Sequence, residues 1–152
     1  MSEPFDGASG TEAGRPDGAA AGKEAAGQHQ IETTDAPKAI GPYAQGVAAA
    51  GLVFTSGQLG IDPSSGDLVG GGIVPETRRT LRNLASILEA GGSGLDAALK
   101  VTVYLVDLAE FAAMNEVYGE FFAQTPPARA TVGVAALPLG ARVEIDIVAM
   151  VR

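Results

Sequence analysis

Residues 125–152, TPPARATVGVAALPLGARVEIDIVAMVR, hold two runs rich in Val, Ile, Ala and Thr, separated by a segment containing Pro138 and Gly140. Alternating β-branched residues suit a pleated, half-buried strand, so each run reads as a strand and 138–141 as the turn of a closing hairpin. Side chains alternate across a strand. On that pattern Val132 and Val134 share the core face with Val143, Ile145, Ile147 and Val151. The other face collects Arg129, Thr131, Gly133 and Ala135 from the first strand, and Arg142, Glu144, Asp146, Val148 and Met150 from the second. A solvated face is the ordinary outcome for such a mixture. Gly133, Ala135, Val148 and Met150, however, suit a surface that meets another subunit.

A four-residue turn at 138–141 pairs Leu137 with Arg142, Ala135 with Glu144, and Arg129 with Met150. Arg129 and Glu144 then lie roughly 20 Å apart along the hairpin at about 3.3 Å per residue, too far to share one ligand within a chain. If they cooperate, one comes from a neighbouring subunit.

Working back toward the N-terminus, Asp107 and Glu110 form an Asp version of a capping box that opens a helix carrying Phe111, Met114, Tyr118, Phe121 and Phe122 on one stripe. A β-branched strand is expected at 100–106. Before it, Leu81, Leu84, Ala85 and Leu88 recur at helical spacing over 75–90, with Pro75 in the first turn and Gly91 at the end. Strands are expected at 46–50 and 52–58, a turn at DPSSGD (62–67), a short strand at Leu68 and Val69, and another at 31–34. The segment APKAIGPYAQG (36–46) reads as a loop. The order β-β-β-α-β-α-β-β predicts an α+β fold, a mixed sheet with both helices on one face.

The 152 residues suit one domain at 29–152, preceded by a Gly/Ala-rich acidic tail at 1–28 with too little to bury to offset its ordering entropy. A net charge of −8 opposes binding to nucleic acid or anionic membrane, which points to small metabolites or proteins as partners. Without cysteine there is no disulfide, thiolate zinc site or cysteine nucleophile, and the single histidine, His29, reads as a solvated tail residue. No signal peptide or membrane span is readable, so a cytoplasmic location is expected. Arg78, Arg79 and Arg82 read as a solvated helix face, Lys100 as a solvated strand residue, and the glycines at 70–72 as a hinge lacking the Lys and Ser/Thr of a phosphate loop.

The motifs GPYAQG (41–46), VFTSGQ (53–58), MNEVY (114–118), PARATVGVAALP (127–138) and VEIDIVA (143–149) together resemble the reactive intermediate deaminase family, also called YjgF or RidA. The resemblance implies a chorismate-mutase-like fold and a homotrimer with ligand clefts between subunits. It also implies a cofactor-independent, metal-free hydrolase, a 2-iminobutanoate/2-iminopropanoate deaminase. Such enzymes convert imines and enamines such as 2-aminoacrylate, released by pyridoxal-phosphate enzymes, to 2-oxo acids and ammonia. The alternatives are a non-catalytic carboxylate-binding relative and one recruited to a biosynthetic pathway. The family's carboxylate-binding arginine matches Arg129, its acidic residue Glu144, its loop tyrosine Tyr43, its serine Ser56 beside Gly57, and its helix asparagine Asn115. Thr131 stands where many members carry cysteine, at a position where the backbone matters most.

The chemistry fits these residue types. A guanidinium grips a carboxylate bidentately, so Arg129 suits orientation of a 2-imino acid. Glu144 suits proton transfer between water and nitrogen, and Asp146 on the same face would raise its pKa. Tyr43 is a hydrogen-bond donor presented by Gly41 and Pro42. Ser56 could bond a ligand or cap the strand end. Asn115 falls between Phe111, Tyr118 and Phe122 on the buried stripe, where its amide needs partners, and could bond the GPY loop or a ligand.

Overall fold

The computed structural model describes residues 27–152, so the expectation of a disordered tail lies, for 1–26, outside the described residues. Among the described residues six strands and two α-helices follow one another: β1 (His29–Ile31), β2 (Gly46–Ala49), β3 (Leu52–Thr55), α1 (Ile73–Ala90), β4 (Ala98–Leu105), α2 (Phe111–Phe122), β5 (Ala128–Gly133) and β6 (Val143–Met150). They form one mixed sheet in the order β1-β2-β3-β6-β4-β5, in which only β4 and β5 run parallel. The α+β expectation holds. His29 belongs to a strand rather than a tail, since it pairs with Ala48, and the strand expected at 31–34 ends at Ile31.

The closing hairpin does not form. β5 pairs with β4 alone, from Lys100↔Ala128 to Leu105↔Gly133, and β6 inserts on the other side of β4, from Ala98↔Ala149 to Leu105↔Val143. The connection at 134–142 hops over β4, held by Val134 N donating to Leu105 O and Val106 N donating to Arg142 O. The reason is competition for the centre of the sheet. Val143, Ile145, Ile147 and Ala149 of β6 are all fully buried, whereas β5, thinner in apolar bulk, takes the edge.

This topology also reverses the face assigned to β5. Cross-strand neighbours point the same way. Arg129, Thr131 and Gly133 stand opposite Val101, Val103 and Leu105, which are fully buried under the helices, so the odd-numbered residues of β5 face the helices and Val132 faces away. The β6 assignment stands from Val143 to Ile147, with Ile145 and Ile147 toward the core and Glu144 and Asp146 on the open face, but Val151, also expected in the core, lies past the strand end at Met150 and is exposed.

Both helices cover one face of the sheet. Leu81, Leu84, Ile87 and Leu88 of α1 and Met114, Tyr118 and Phe122 of α2 share one core with the inward strand residues. Phe111 is exposed at the start of α2, and Val117 takes a buried place that the aromatic stripe left out. The capping box is made by half. The Asp107 side chain accepts from Ala109 N, but Glu110 pairs with Arg142 at 2.7 Å. Arg142 N also donates to the buried Glu76 carboxylate of α1, which anchors the start of β6. The strand expected at Leu68 and Val69 is reduced to a single bridge, Ile61↔Leu68, beside the expected Asp62 turn. Among the described residues no helix is long and apolar enough to cross a membrane.

Ile145 sits at the centre of this core, opposite Val103 and bridged to Gln58. Ile145→Ala should lower unfolding free energy by about 2–5 kcal/mol in urea titrations, whereas Glu89→Ala at the exposed end of α1 should stay within about 0.5 kcal/mol.

Candidate active site

Alternation along β6 sends Val143 and Ile145 inward and Glu144 outward. Beside it runs the end of the β3 segment, where Gln58 and Ile145 exchange backbone hydrogen bonds of 2.9 and 3.1 Å. That bridge sets Gly57 against the Glu144 side chain, with the carboxyl occupying the space a Cβ would need: such an atom would lie 2.8 Å from Glu144 Cδ. Only glycine leaves that space free. The carboxyl is half-buried, and burial first, then the charge of Asp146, pushes its pKa up. Near Asp146, the phenol of Tyr104 on β4 is pushed up by burial first and then by that acid.

Tyr43, Ser56, Gly57 and Glu144 line a single cleft of about 450 Å3. Tyr43 closes a tight turn, its N–H donating to Gly41 O at 2.8 Å, and its hydroxyl accepts from Ile40 N at 3.5 Å, which leaves the phenolic proton free to donate. Ser56 Oγ donates to Ala44 O at 2.6 Å and Ser56 N to Gln45 O at 2.9 Å, so the hydroxyl proton ties the strand end to the loop.

Sequence reasoning passed over Gln45. Its buried amide accepts from Thr33 N at 2.7 Å and reaches the carbonyls of Thr33, Ala36 and Pro37 at 3.0, 3.2 and 2.8 Å. Two amide protons shared among three carbonyls pin the loop that carries Pro37 and Lys38 into the cleft. The available signal was a glutamine directly before an apolar strand. Tyr104 was also missed, because the expected hairpin set β5, not β4, beside Glu144.

Arg129 lies elsewhere. On the helix side of the sheet its guanidinium stacks over Tyr118, 4.5 Å from the ring centre, and stands 5.5 Å from that of Phe111. Nη1 donates to Asn115 Oδ1 at 2.7 Å. Asn115 is exposed rather than buried, and its bond goes to Arg129, not to the GPY loop. Arg129, Asn115 and Tyr118 line a second, shallower pocket of about 480 Å3. Thr131 follows Arg129 on the same face, and its Oγ1, like Tyr118 OH, is buried without a hydrogen-bond partner among the described residues. Burial pushes the Tyr118 phenol up, against the pull of the Arg129 charge.

The seven candidate residues thus form two groups on opposite faces: Tyr43, Ser56, Gly57 and Glu144 around one cleft, and Arg129, Asn115 and Thr131 on the helix side. The hairpin distance that separated Arg129 from Glu144 is superseded, because β4 lies between their strands and their side chains leave opposite surfaces. The carboxylate group offers proton transfer and the guanidinium group offers anion binding.

The raised Glu144 pKa makes its ionisation easier in the unfolded chain, so the folded state loses stability as pH rises out of the ordinary carboxylate range. Glu144→Gln should therefore raise the thermal midpoint at pH 7, with the gain fading below about pH 4, where both states are protonated. Gln45→Leu leaves buried carbonyls unpaired, and the amides of 33–40 should exchange with deuterium faster than in the wild type.

A sequence model of the endoribonuclease L-PSP family matches residues 33–151. The chain is 49% identical over 120 residues to the 2-iminobutanoate/2-iminopropanoate deaminase of Mus musculus, covering 79% of this chain and 89% of that protein. The YjgF gene product of E. coli superposes with a TM-score of 0.78 at 39% identity, over 82% of this chain and 99% of that one. E. coli TdcF with bound serine superposes with a TM-score of 0.77 at 41% identity, over 80% and 98%. The chain therefore belongs to the endoribonuclease L-PSP family, also known as the YjgF or RidA family.

Proposed function

We propose that this protein is a 2-iminobutanoate/2-iminopropanoate deaminase that hydrolyses 2-imino acids and their enamine tautomers to 2-oxo acids and ammonia at the junctions of a homotrimer. One observation carries the reading: a half-buried carboxyl with a raised pKa and a stacked guanidinium stand on opposite faces of one sheet, so one ligand can meet both only if they come from different subunits. The names of curated relatives, such as the mouse deaminase, support the reaction class. The bound serine of TdcF supports a small amino-acid-like ligand.

The steps follow from the groups present. Arg129, with one donor held by Asn115, keeps the rest of its fork for the substrate carboxylate. Glu144 of the neighbouring subunit takes a proton from water as the oxygen bonds to the carbon of the protonated imine, giving a carbinolamine. It returns that proton to nitrogen and takes up the hydroxyl proton as the C–N bond breaks, so ammonia leaves, the carbonyl forms and the carboxyl then releases its proton to solvent. Tyr43 donates to the oxygen or nitrogen of that intermediate. The main-chain N–H groups of Gly57 and Thr131 complete the cradle, with Ser56 holding the loop. No step passes through a metal or cofactor.

The test couples threonine dehydratase to the protein and follows 2-oxobutanoate release against semicarbazide trapping. The wild type should outrun trapping, Glu144→Gln should lose about 10²–10⁴-fold in kcat, and Arg129→Ala should lose chiefly in KM, about 10–100-fold. Mixing the two impaired variants under subunit exchange should restore activity at low substrate concentration, because some junctions then hold an intact pair. Oxo-acid binding without turnover would leave a carboxylate-binding protein, and activity in a pure monomer would overturn the shared site.

A further inference from the structure

Among the described residues the two most exposed large hydrophobic side chains are Ile40, 85% exposed, and Leu139, 64%. Single exposed hydrophobic residues are ordinary. These two, however, come from segments far apart in sequence and line the same cleft as Tyr43 and Glu144. Leu59, Ile61 and Pro138 continue the apolar wall.

Leu139 is also held in the left-handed region, φ 58°, ahead of Gly140 at φ 70°. A branched side chain disfavours that conformation and glycine accepts it freely. Neither backbone geometry nor burial favours leucine there; its orientation into the cleft is what remains. Burial does not favour an isoleucine at position 40 either. Ile40 is β-branched, lies on a loop, and its N–H donates to the Tyr43 hydroxyl. The residue whose backbone supports the candidate donor thus also supplies apolar surface beside it.

A 2-imino acid has its reacting carbon and carboxylate at one end and its side chain at the other. With Glu144 and Tyr43 engaging the reacting end, the side chain meets the wall. The cleft, about 450 Å3, falls in the range of roughly 300–1,000 Å3 common for ligand sites and exceeds what a two-carbon side chain fills.

We infer that Ile40 and Leu139 form a side-chain subsite that selects 2-imino acids with apolar side chains of four or more carbons over two-carbon ones. This rests on the deaminase reading above. The imines of leucine and of 2-aminobutyrate, both generated by an L-amino-acid oxidase, are compared by kcat/KM in the semicarbazide assay. Each buried methylene favours binding about fourfold, so the leucine imine should lead by on the order of tenfold in the wild type. In the Ile40→Ser, Leu139→Gly double variant that ratio should fall toward one. Glycine at 139 keeps the turn, so misfolding does not supply the effect.

A wild-type ratio at or below one, or a ratio unmoved by the double variant, overturns the subsite. So does a change of sedimentation coefficient in the variant with no change of ratio, which would assign the two residues to a subunit contact. Titration calorimetry with 4-methyl-2-oxopentanoate and 2-oxobutanoate separates the two readings. Preference in binding without turnover removes the deaminase and keeps the subsite; turnover without preference does the reverse. Absence of both turnover and binding removes both.

Discussion

The two-sided pairing of β4 is the constraint on which the site depends. Its parallel edge holds β5 and its antiparallel edge holds β6, and each residue from Lys100 to Leu105 fixes the facing of one neighbour on each side. Val101 sends Arg129 and Ile147 toward the helices, while Tyr104 keeps Glu144 and Val132 on the open surface. No rotamer carries a side chain through a hydrogen-bonded sheet. The cation and the acid therefore lie on opposite faces of the sheet.

Much of the fold was readable because its signals are local. The Leu81, Leu84 and Leu88 spacing gave α1, and the alternation of Val143, Ile145 and Ile147 gave a strand with Glu144 outward. Strand pairing was not readable, because the same local pattern serves a hairpin and a hop over a third strand. The outcome depends on which strand buries most, a comparison across the chain, and β6 prevails over β5. Arg129 was turned to the wrong face because Val132 and Val134 read as the apolar, core-facing set of β5, whereas pairing with β4 sets Arg129 beside the buried Val101 and Val132 beside Tyr104. Asn115 shows the same limit on a helix. Its aromatic neighbours suggested burial, yet Met114, Val117 and Tyr118 fill the inward stripe and leave the amide at the surface, within reach of Arg129.

The candidate residues themselves were legible as chemical types, but their supports were not. Gln45 acts through carbonyls of a loop up to twelve positions away, and Tyr104 through an acid on another strand. Neither connection has a sequence signature. The region around Glu144 also departs from what stability alone would choose: two acids share one face, a glycine leaves room for one of them, and a leucine occupies a left-handed turn. Departures of this kind concentrate where a protein has a task besides folding.

The surroundings of Glu144 and Arg129 act in opposite senses, which bears on how the proposed pair would work together. Burial and the charge of Asp146 make the Glu144 proton harder to remove, bringing the carboxyl nearer the balance of proton states that a group acting as base and then as acid requires. Arg129 cannot be tuned by losing its proton, so it is tuned by orientation: the Tyr118 ring fixes the guanidinium plane and Asn115 holds one edge. An anion docked on the remaining donors would be presented at a fixed angle to whatever approaches from the next subunit. Bringing two such surfaces together would also exclude water from the carboxyl and strengthen the field of Asp146 upon it. Assembly would then complete the acid's tuning as well as supply its missing partner, so oligomerisation and catalysis would share one physical cause.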